Sequence, residues 1–341
     1  METMTNRAAL YLTMGEPYLN ELWFDMFKKN GLDDIDMLYV AVDPVRDDIP
    51  SDNRDYFIKL FTGHPKVTVL HNPKATLQTA LQTLYRNCKE KYYVLIQDDC
   101  FLLQKHGMVP YFEQIESGYY DIIGSPLRNY TPQALQDQLI DQYAGDDKDW
   151  GYYPFLHAGY SYWQNMVFGK TQDMLDTGAN FDYGGFGPEK KVKYLDKPFK
   201  ESVGLDIFVP EILMHRKAGK KMGYNNQNHL TRDDLADYLN FRGGFSGNAP
   251  WVHLGGFSNW YGDIIQGVKH EKTTDPGMID EYERRVAWYL LCTYWYPQVG
   301  RVLPEWEKQV NEYITQCRMT FGFDKRDLPK RLQIYTELLK K

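Results

Sequence analysis

Cysteine is scarce in this sequence: Cys88, Cys100, Cys292 and Cys317 are widely spaced and form no CxxC pair. That spacing speaks against a zinc ribbon and a disulfide-stapled scaffold, so the four thiols are expected to be reduced and structural. No stretch approaches the roughly 18 consecutive apolar residues of a membrane-crossing helix. Positive charge is not in excess either, since 39 Lys and Arg face 46 Asp and Glu, a net charge of −7. A dedicated nucleic-acid binder normally carries a basic face, so that balance argues against one. There is no internal repeat and no low-complexity tract. The opening METMTNRAALYLTMGEP holds an apolar run of strand length in place of the apolar core of a secretory leader. A soluble, cytoplasmic protein with no membrane span is expected.

What is present is ordinary for a globular chain: 43% hydrophobic and 25% charged residues over 341 positions, enough for a large core. The length suits two domains, or one large α/β domain with an appendage. Tyr (27) and Trp (8) are plentiful; their apolar faces and polar edges suit sugar binding as well as core and rim positions. Basic residues gather locally, with nine Lys or Arg against five Asp or Glu across 189–222. Solvated helix faces account for such a cluster, and so does a basic groove.

Along the chain, apolar runs and helical periods alternate. Residues 8–14 predict a strand, ended by Gly15, Glu16 and Pro17. Residues 18–30 predict a helix with Leu19, Leu22, Trp23, Met26 and Phe27 on one face, stopped by Gly31. Strands follow at 37–42, 67–71, 92–96 and 120–124, with helices near 53–62 and over 75–88 between them. Strands apolar throughout and alternating with helices imply a mainly parallel sheet covered on both faces. In such sheets ligands bind beyond the carboxyl ends of the strands, which singles out Thr13, Glu16, Asp43, Asn72, Lys74, Gln97, Asp98 and Asp99. The polar, Tyr-rich stretch 129–156 reads as an inserted loop or lobe. Residues 159–175 predict a strand then a helix, 180–187 (NFDYGGFG) a loop, and 206–218 a helix. Everything after about 270 reads as a helical extension, giving a division into 1–268 and 269–341.

The sharpest local signal is YYVLIQDDCFLL at 92–103. A buried apolar strand that ends in adjacent carboxylates and then returns to apolar sequence is costly unless something offsets the charge. A divalent cation bridging a diphosphate is a natural partner, because Mg²⁺ and Mn²⁺ take oxygen ligands from one or two carboxylates plus phosphate. A solvated strand-to-turn junction is the plainer alternative. In extended geometry Gln97 and Asp99 share one side and Asp98 takes the other, which makes Asp99 the metal ligand and turns Asp98 toward a ribose or a backbone donor.

The order of elements around this strand resembles the GT-A glycosyltransferases, above all the family 2-like nucleotide-sugar enzymes. Segment VTVLHNPKATLQTALQTLYRNCKEKYYVLIQDDCFLL resembles that family's strand, Asn-containing turn, helix, and strand ending in the DxD element. The likeness runs over about residues 8–260, and it departs at Gln97, where the first acidic position would stand. It implies a Rossmann-like GT-A fold, mainly parallel with helices on both faces, plus the C-terminal helical extension. It also implies roles. Asp43 stands where the family's uracil-binding Asp stands, Thr13 and Glu16 would flank the nucleoside, and Lys74 would lie near the base or diphosphate, each with a bland alternative as a turn or cap residue.

Downstream, GGFGPEK and the segment leading to Asp206 resemble the family's Gly-rich loop and its acidic helix-opening residue, the base that deprotonates the acceptor hydroxyl in inverting members. Asp206 also fits a plain helix N-cap. His253 in PWVHLGGFSN resembles the family's C-terminal metal-binding His, and a satisfied core histidine is the alternative. Gly184, Gly185 and Trp163 are placed at the sugar or acceptor. The function so implied is an enzyme, a hexosyltransferase-type glycosyltransferase dependent on Mn²⁺ or Mg²⁺. It would move a sugar from a nucleotide-sugar donor, a UDP-sugar by preference, to a hydroxyl with inversion. The acceptor is a glycan or a hydroxylated base in DNA. The rival reading is a catalytically inactive nucleotide-sugar binder, suggested by Gln97.

Overall fold

The computed structural model describes residues 6–13, 17–42, 55, 58–71, 76–126, 162–179, 181, 184–186, 189, 203–205, 207–208, 211–212, 214–215, 218–224 and 250–253. The expected lobe at 129–156, the extension at 269–341, and Glu16, Asp43, Asn72, Lys74 and Asp206 lie outside them. The described residues fall into two units, one built around a large sheet, the other from residues 17–31, 98–107 and 250–253.

The sheet unit begins with β1 (Arg7–Thr13), β2 (Met37–Val42), β3 (Val67–His71) and β4 (Tyr92–Gln97). It adds β6 (Ile122–Pro126), β7 (Tyr162–Lys170) and β10 (Met222–Tyr224). The seven strands run in the order β10-β6-β7-β4-β1-β2-β3. β7 runs antiparallel to both β4 and β6, and the other pairings are parallel. The mainly parallel α/β sheet expected from the sequence is what forms.

Both faces are covered, which is why the strands are apolar without alternation. Helix α2 (Leu77–Asn87) lays Ala80, Leu81, Leu84 and Tyr85 on the face carrying Leu10, Leu12, Tyr39, Ala41, Tyr93 and Leu95. Thr76 caps it reciprocally with Thr79, satisfying two of the amides a helix start leaves open. Helix α3 (Val109–Glu116) covers the other face, where Phe112 meets Phe168 edge-on at 5.2 Å. Tyr85 and Tyr93 pack edge-to-face at 4.9 Å. The Tyr93 ring then lies across β7 at Gly169, where a Cβ would stand 2.6 Å from the hydroxyl oxygen. Only glycine permits that approach. At the amino-terminal end Arg7 spans the layers, its guanidinium paired with Glu116 at 2.6 and 2.8 Å and stacked over Phe112. Helix α4 (Thr171–Asp176) continues from β7.

Two elements differ from those expected. The Gly-rich 180–187 is not all loop, because Gly184–Phe186 forms strand β8, antiparallel to β9 (Val203–Leu205). The helix expected from 206 begins later: Ile207 and Phe208 are buried turn residues, and the first described helical bond runs from the Ile212 amide to the Phe208 carbonyl. The sequence carries a cue at Pro210, since proline is favoured in the first turn of a helix.

In the second unit the described residues form one helix and two short strands. Helix α1 (Pro17–Asn30) packs on β5 (Cys100–Leu102), which pairs antiparallel with β11 (Trp251–His253). Trp23 and Phe27 stack at 4.7 Å with planes 9° apart, and both are buried with Leu22, Phe24 and Met26.

Candidate functional site

Parallel register fixes where the strands of the sheet stop. Thr13 lies beside Val42, Val42 beside His71, and Gln97 beside Leu12, so the carboxyl ends of β3, β2, β1 and β4 form one row. Because β7 runs the other way, its first residues reach the same edge: Met166 pairs with Ile96, and Trp163 lies further along, opposite Ser125. Of the predicted donor and acceptor residues, the structure thus brings Thr13, Gln97 and Trp163 to one edge. Thr13 is fully buried and Gln97 partly so. His71, at the end of β3, belongs to this row and was not singled out by sequence reasoning. Its place in an apolar strand concealed it, although its position just before the turn was a usable signal.

Past Gln97 the chain does not stay extended. Asp98 and Asp99 form a turn between β4 and β5, so the strand alternation that set Asp98 opposite Gln97 and Asp99 does not apply to them. Both are 3% exposed. Two adjacent carboxylates at that depth are a costly arrangement, since burial and like charge each disfavour the ionised form. Burial, and after it the Asp99 charge, pushes the Cys100 thiol well above its usual range. Cys100 is therefore a neutral apolar neighbour and not a thiolate nucleophile.

The residue that meets this turn from far along the chain is His253. In the β5–β11 pair, Trp251 stands opposite Leu102, Val252 opposite Phe101 and His253 opposite Cys100. The Leu103 amide donates to the Pro250 carbonyl at 2.7 Å. Hydrogen-bonded and non-bonded pairs alternate in antiparallel ladders, so Cys100 and His253 form a non-hydrogen-bonded pair, the closer kind, with Cα atoms about 4.5 Å apart. His253 thus enters one residue from Asp99. Gly107 makes the return possible, because a Cβ there would lie 2.5 Å from the Pro250 Cβ.

A third grouping links the two glycines expected at the acceptor to the segment that precedes Asp206. Gly184 pairs with Leu205, the residue before Asp206, and Gly185 with Gly204.

Among the described residues no three His, Cys, Asp or Glu side chains gather as a metal cage. Two carboxylates at a strand end nevertheless suit Mg²⁺ or Mn²⁺, which need only one or two when phosphate oxygens and water complete the shell. The donor set is oxygen-rich and thiolate-free, which also favours those ions over zinc. No described helix is long and apolar enough to cross a membrane.

No family model and no curated protein matches this sequence. Among solved structures, it is similar to the mannosyltransferase PcManGT from Pyrobaculum calidifontis in complex with GDP-Man and Mn²⁺, at 10% identity and TM-score 0.42, over 99% of this chain and 87% of that one. It is also similar to S. aureus TarS 1–349, at 9% identity and TM-score 0.40, over 82% and 68%. A third likeness is to the same TarS portion in complex with UDP-GlcNAc, at 10% identity and TM-score 0.39, over 92% and 73%.

Proposed function

We propose that this chain is a metal-dependent glycosyltransferase that moves a sugar from a nucleotide-sugar donor, a UDP-sugar by preference, to a hydroxyl acceptor with inversion. The observation that carries the reading is the β5–β11 register, which sets His253 one residue from the buried Asp98–Asp99 turn. A strand-end pair of acids is common. A histidine set beside it by a strand about 150 residues further along the chain adds to such a pair a further, nitrogen ligand.

In this reading Asp99 and His253 hold the Mn²⁺ or Mg²⁺, which when bound offsets charge on the departing nucleoside diphosphate. Asp98 and Gln97 hold the ribose or the diphosphate edge. Asp43 accepts the pyrimidine N3–H, Thr13 and Glu16 flank the nucleoside, and Lys74 neutralises phosphate. Asp206 takes the acceptor hydroxyl's proton as the oxygen attacks, since a hydroxyl is a poor nucleophile until a positioned base removes that proton. Gly184 and Gly185 let backbone approach the sugar, and Trp163 offers a ring face to sugar or acceptor. The division into a catalytic 1–268 and an extension 269–341, and a cytoplasmic location, belong to the same proposal.

Calorimetric titration of UDP and GDP with and without Mn²⁺ tests the core of it. Binding that needs the metal and is abolished by EDTA is expected; no binding of either nucleotide overturns the reading. Acceptors are then separated by salt. Transfer to a glycan should be nearly insensitive to it, whereas a DNA acceptor engaged through the 189–222 cluster should bind with steep salt dependence.

A further inference from the structure

The three-residue strand β5 has two edges, and among the described residues only one is covered by a strand. Its β11 edge is set by the Leu103–Pro250 bond and the pairing that follows. On the opposite edge the Cys100 and Leu102 carbonyls face α1. The Trp23 indole N–H donates to the Cys100 carbonyl at 2.8 Å, and the Asn30 side-chain amide donates to the Leu102 carbonyl at 2.8 Å. Both bonds are buried, and the Asn30 carbonyl in turn accepts the His106 amide at 3.1 Å.

Trp23 and Asn30 are seven residues apart on α1, a spacing that returns to the same face of a helix. Carbonyls two apart on a strand also point the same way. The helix therefore offers two side-chain donors at the places where a neighbouring strand would offer two amides.

We infer that Trp23 and Asn30 are positioning residues that stand in for a missing strand on β5. They fix the Cys100 carbonyl, and through it the Asp98–Asp99 turn and the register of His253. Neither touches the cation or the donor. This rests on the metal-donor reading above for its functional consequence, but the positioning itself does not. A short strand held by β11 alone can rock about that pairing, which would shift Asp99 against His253. Held on both edges, it cannot.

The test uses Trp23→Phe, which keeps an aromatic ring against Phe27 and removes the indole donor, and Asn30→Ala, which removes the other. Leu84→Ala in the core beneath α2 serves as a control that destabilises without touching β5. Hydrogen exchange is followed in peptides covering 98–104 and 250–254, and UDP affinity is measured with and without Mn²⁺ on the same proteins. Expected for Trp23→Phe and Asn30→Ala is faster exchange in both peptides with β1 to β4 unchanged. Mn²⁺-dependent UDP affinity should fall about tenfold, the lower end for loss of an outer-shell support, while metal-free UDP affinity is unmoved. Leu84→Ala should lower melting temperature and leave the 98–104 peptide and the metal-dependent affinity as in wild type. Unchanged exchange in both variants overturns the bracket, and faster exchange with unchanged metal-dependent affinity overturns its positioning role. If either variant fails to fold, the other decides. A wild-type chain that binds no nucleotide with Mn²⁺ overturns the donor reading alone, and the exchange arm still decides the bracket.

Discussion

Asp99 is the residue on which the donor site turns. Loss of an outer partner of a metal ligand costs about 10–100-fold in affinity, so loss of the ligand itself should cost more. Asp99→Asn is therefore expected to lower Mn²⁺-dependent UDP affinity by at least about 100-fold with little change in melting temperature, measured by calorimetry and thermal unfolding. Unaltered affinity would place the site elsewhere. Asp206→Asn should behave differently. The substitution keeps shape and capping capacity, since Asn caps about as well as Asp, and removes basicity alone. Turnover should fall by about 10²–10⁴-fold, the usual contribution of a positioned base, with the donor's dissociation constant nearly unchanged. A rate within about tenfold of wild type removes Asp206 as the base, and reduced stability in Asp206→Ala with normal turnover in Asn would identify a cap. These two residues also mark what the sequence made legible. The acids stood out because two adjacent carboxylates set between apolar runs are costly to bury unless something offsets their charge. Their geometry did not, because the turn they form leads into β5, whose strand partner β11 lies about 150 residues away in the chain.

At the scale of elements, long apolar runs bounded by turn residues were read to the residue: β2 and β3 begin and end where the sequence places them. The expected strand at 120–124 forms two residues later, over Ile122–Pro126, and its pairing with β7 carries a register shift between Ile123 and Ser125. β5, β8, β9 and β11, each three residues long, were not read as strands. Three residues show no period, and Gly184-Gly185-Phe186 has no intrinsic strand preference, so partners decide. The β5–β11 element yields its own prediction at Gly107. Ala there sets a Cβ 2.5 Å from Pro250, an overpacking that typically costs about 1–3 kcal/mol. Gly107→Ala should lower the unfolding free energy by that amount and weaken Mn²⁺-dependent UDP affinity along with it. Gly219→Ala, strained by a positive φ of 70° but with open space around its Cβ, should lower stability without touching that affinity. Equal affinity in Gly107→Ala and wild type would argue that the β11 return does not serve the site.

Over the whole molecule, pH should act through a buried histidine that has no part in the proposed chemistry. His215 is 2% exposed, its Nδ1–H donating to the Glu211 carbonyl at 2.9 Å. Burial lowers its pKa from the ordinary 6.5, and Lys220 pushes the same way, while the Glu211 carbonyl, Asp173 and Asp121 oppose. The folded chain thus keeps a neutral ring at pH values where the unfolded chain takes a proton. Its contribution to stability is complete above the unfolded value of about 6.5 and declines as pH falls below it, levelling once the folded value is passed. The slope for one proton is about 1.4 kcal/mol per pH unit at most. Urea midpoints at pH 7.5 and 5.5 should show this decline in wild type and a smaller one in His215→Gln; equal declines would exclude His215 as its source. A second group acts lower. Burial raises the Asp121 pKa, but the Lys170 ion pair and the Lys221 amide outweigh it, and the net shift is down from 3.8. Its contribution is present above that value and is lost as pH falls through the lower folded one.

The pairing of Cys100 with His253 also sets an order of events during synthesis. The strands β1 to β4 are complete in the chain once Gln97 has emerged, and their pairings can form from what is then available. β5 follows at once, but its strand partner must wait for roughly 150 more residues, about eight to thirty seconds at ordinary elongation rates. Through that interval a bare strand edge is preceded directly by two adjacent acids, and charge at an edge is one of the devices that discourage pairing with a stray chain. The carboxylates proposed to hold the donor's metal would thus serve first as guards against aggregation. Their neutralisation in a mutant should show as lower soluble yield on fast expression before it shows in any assay of the finished protein.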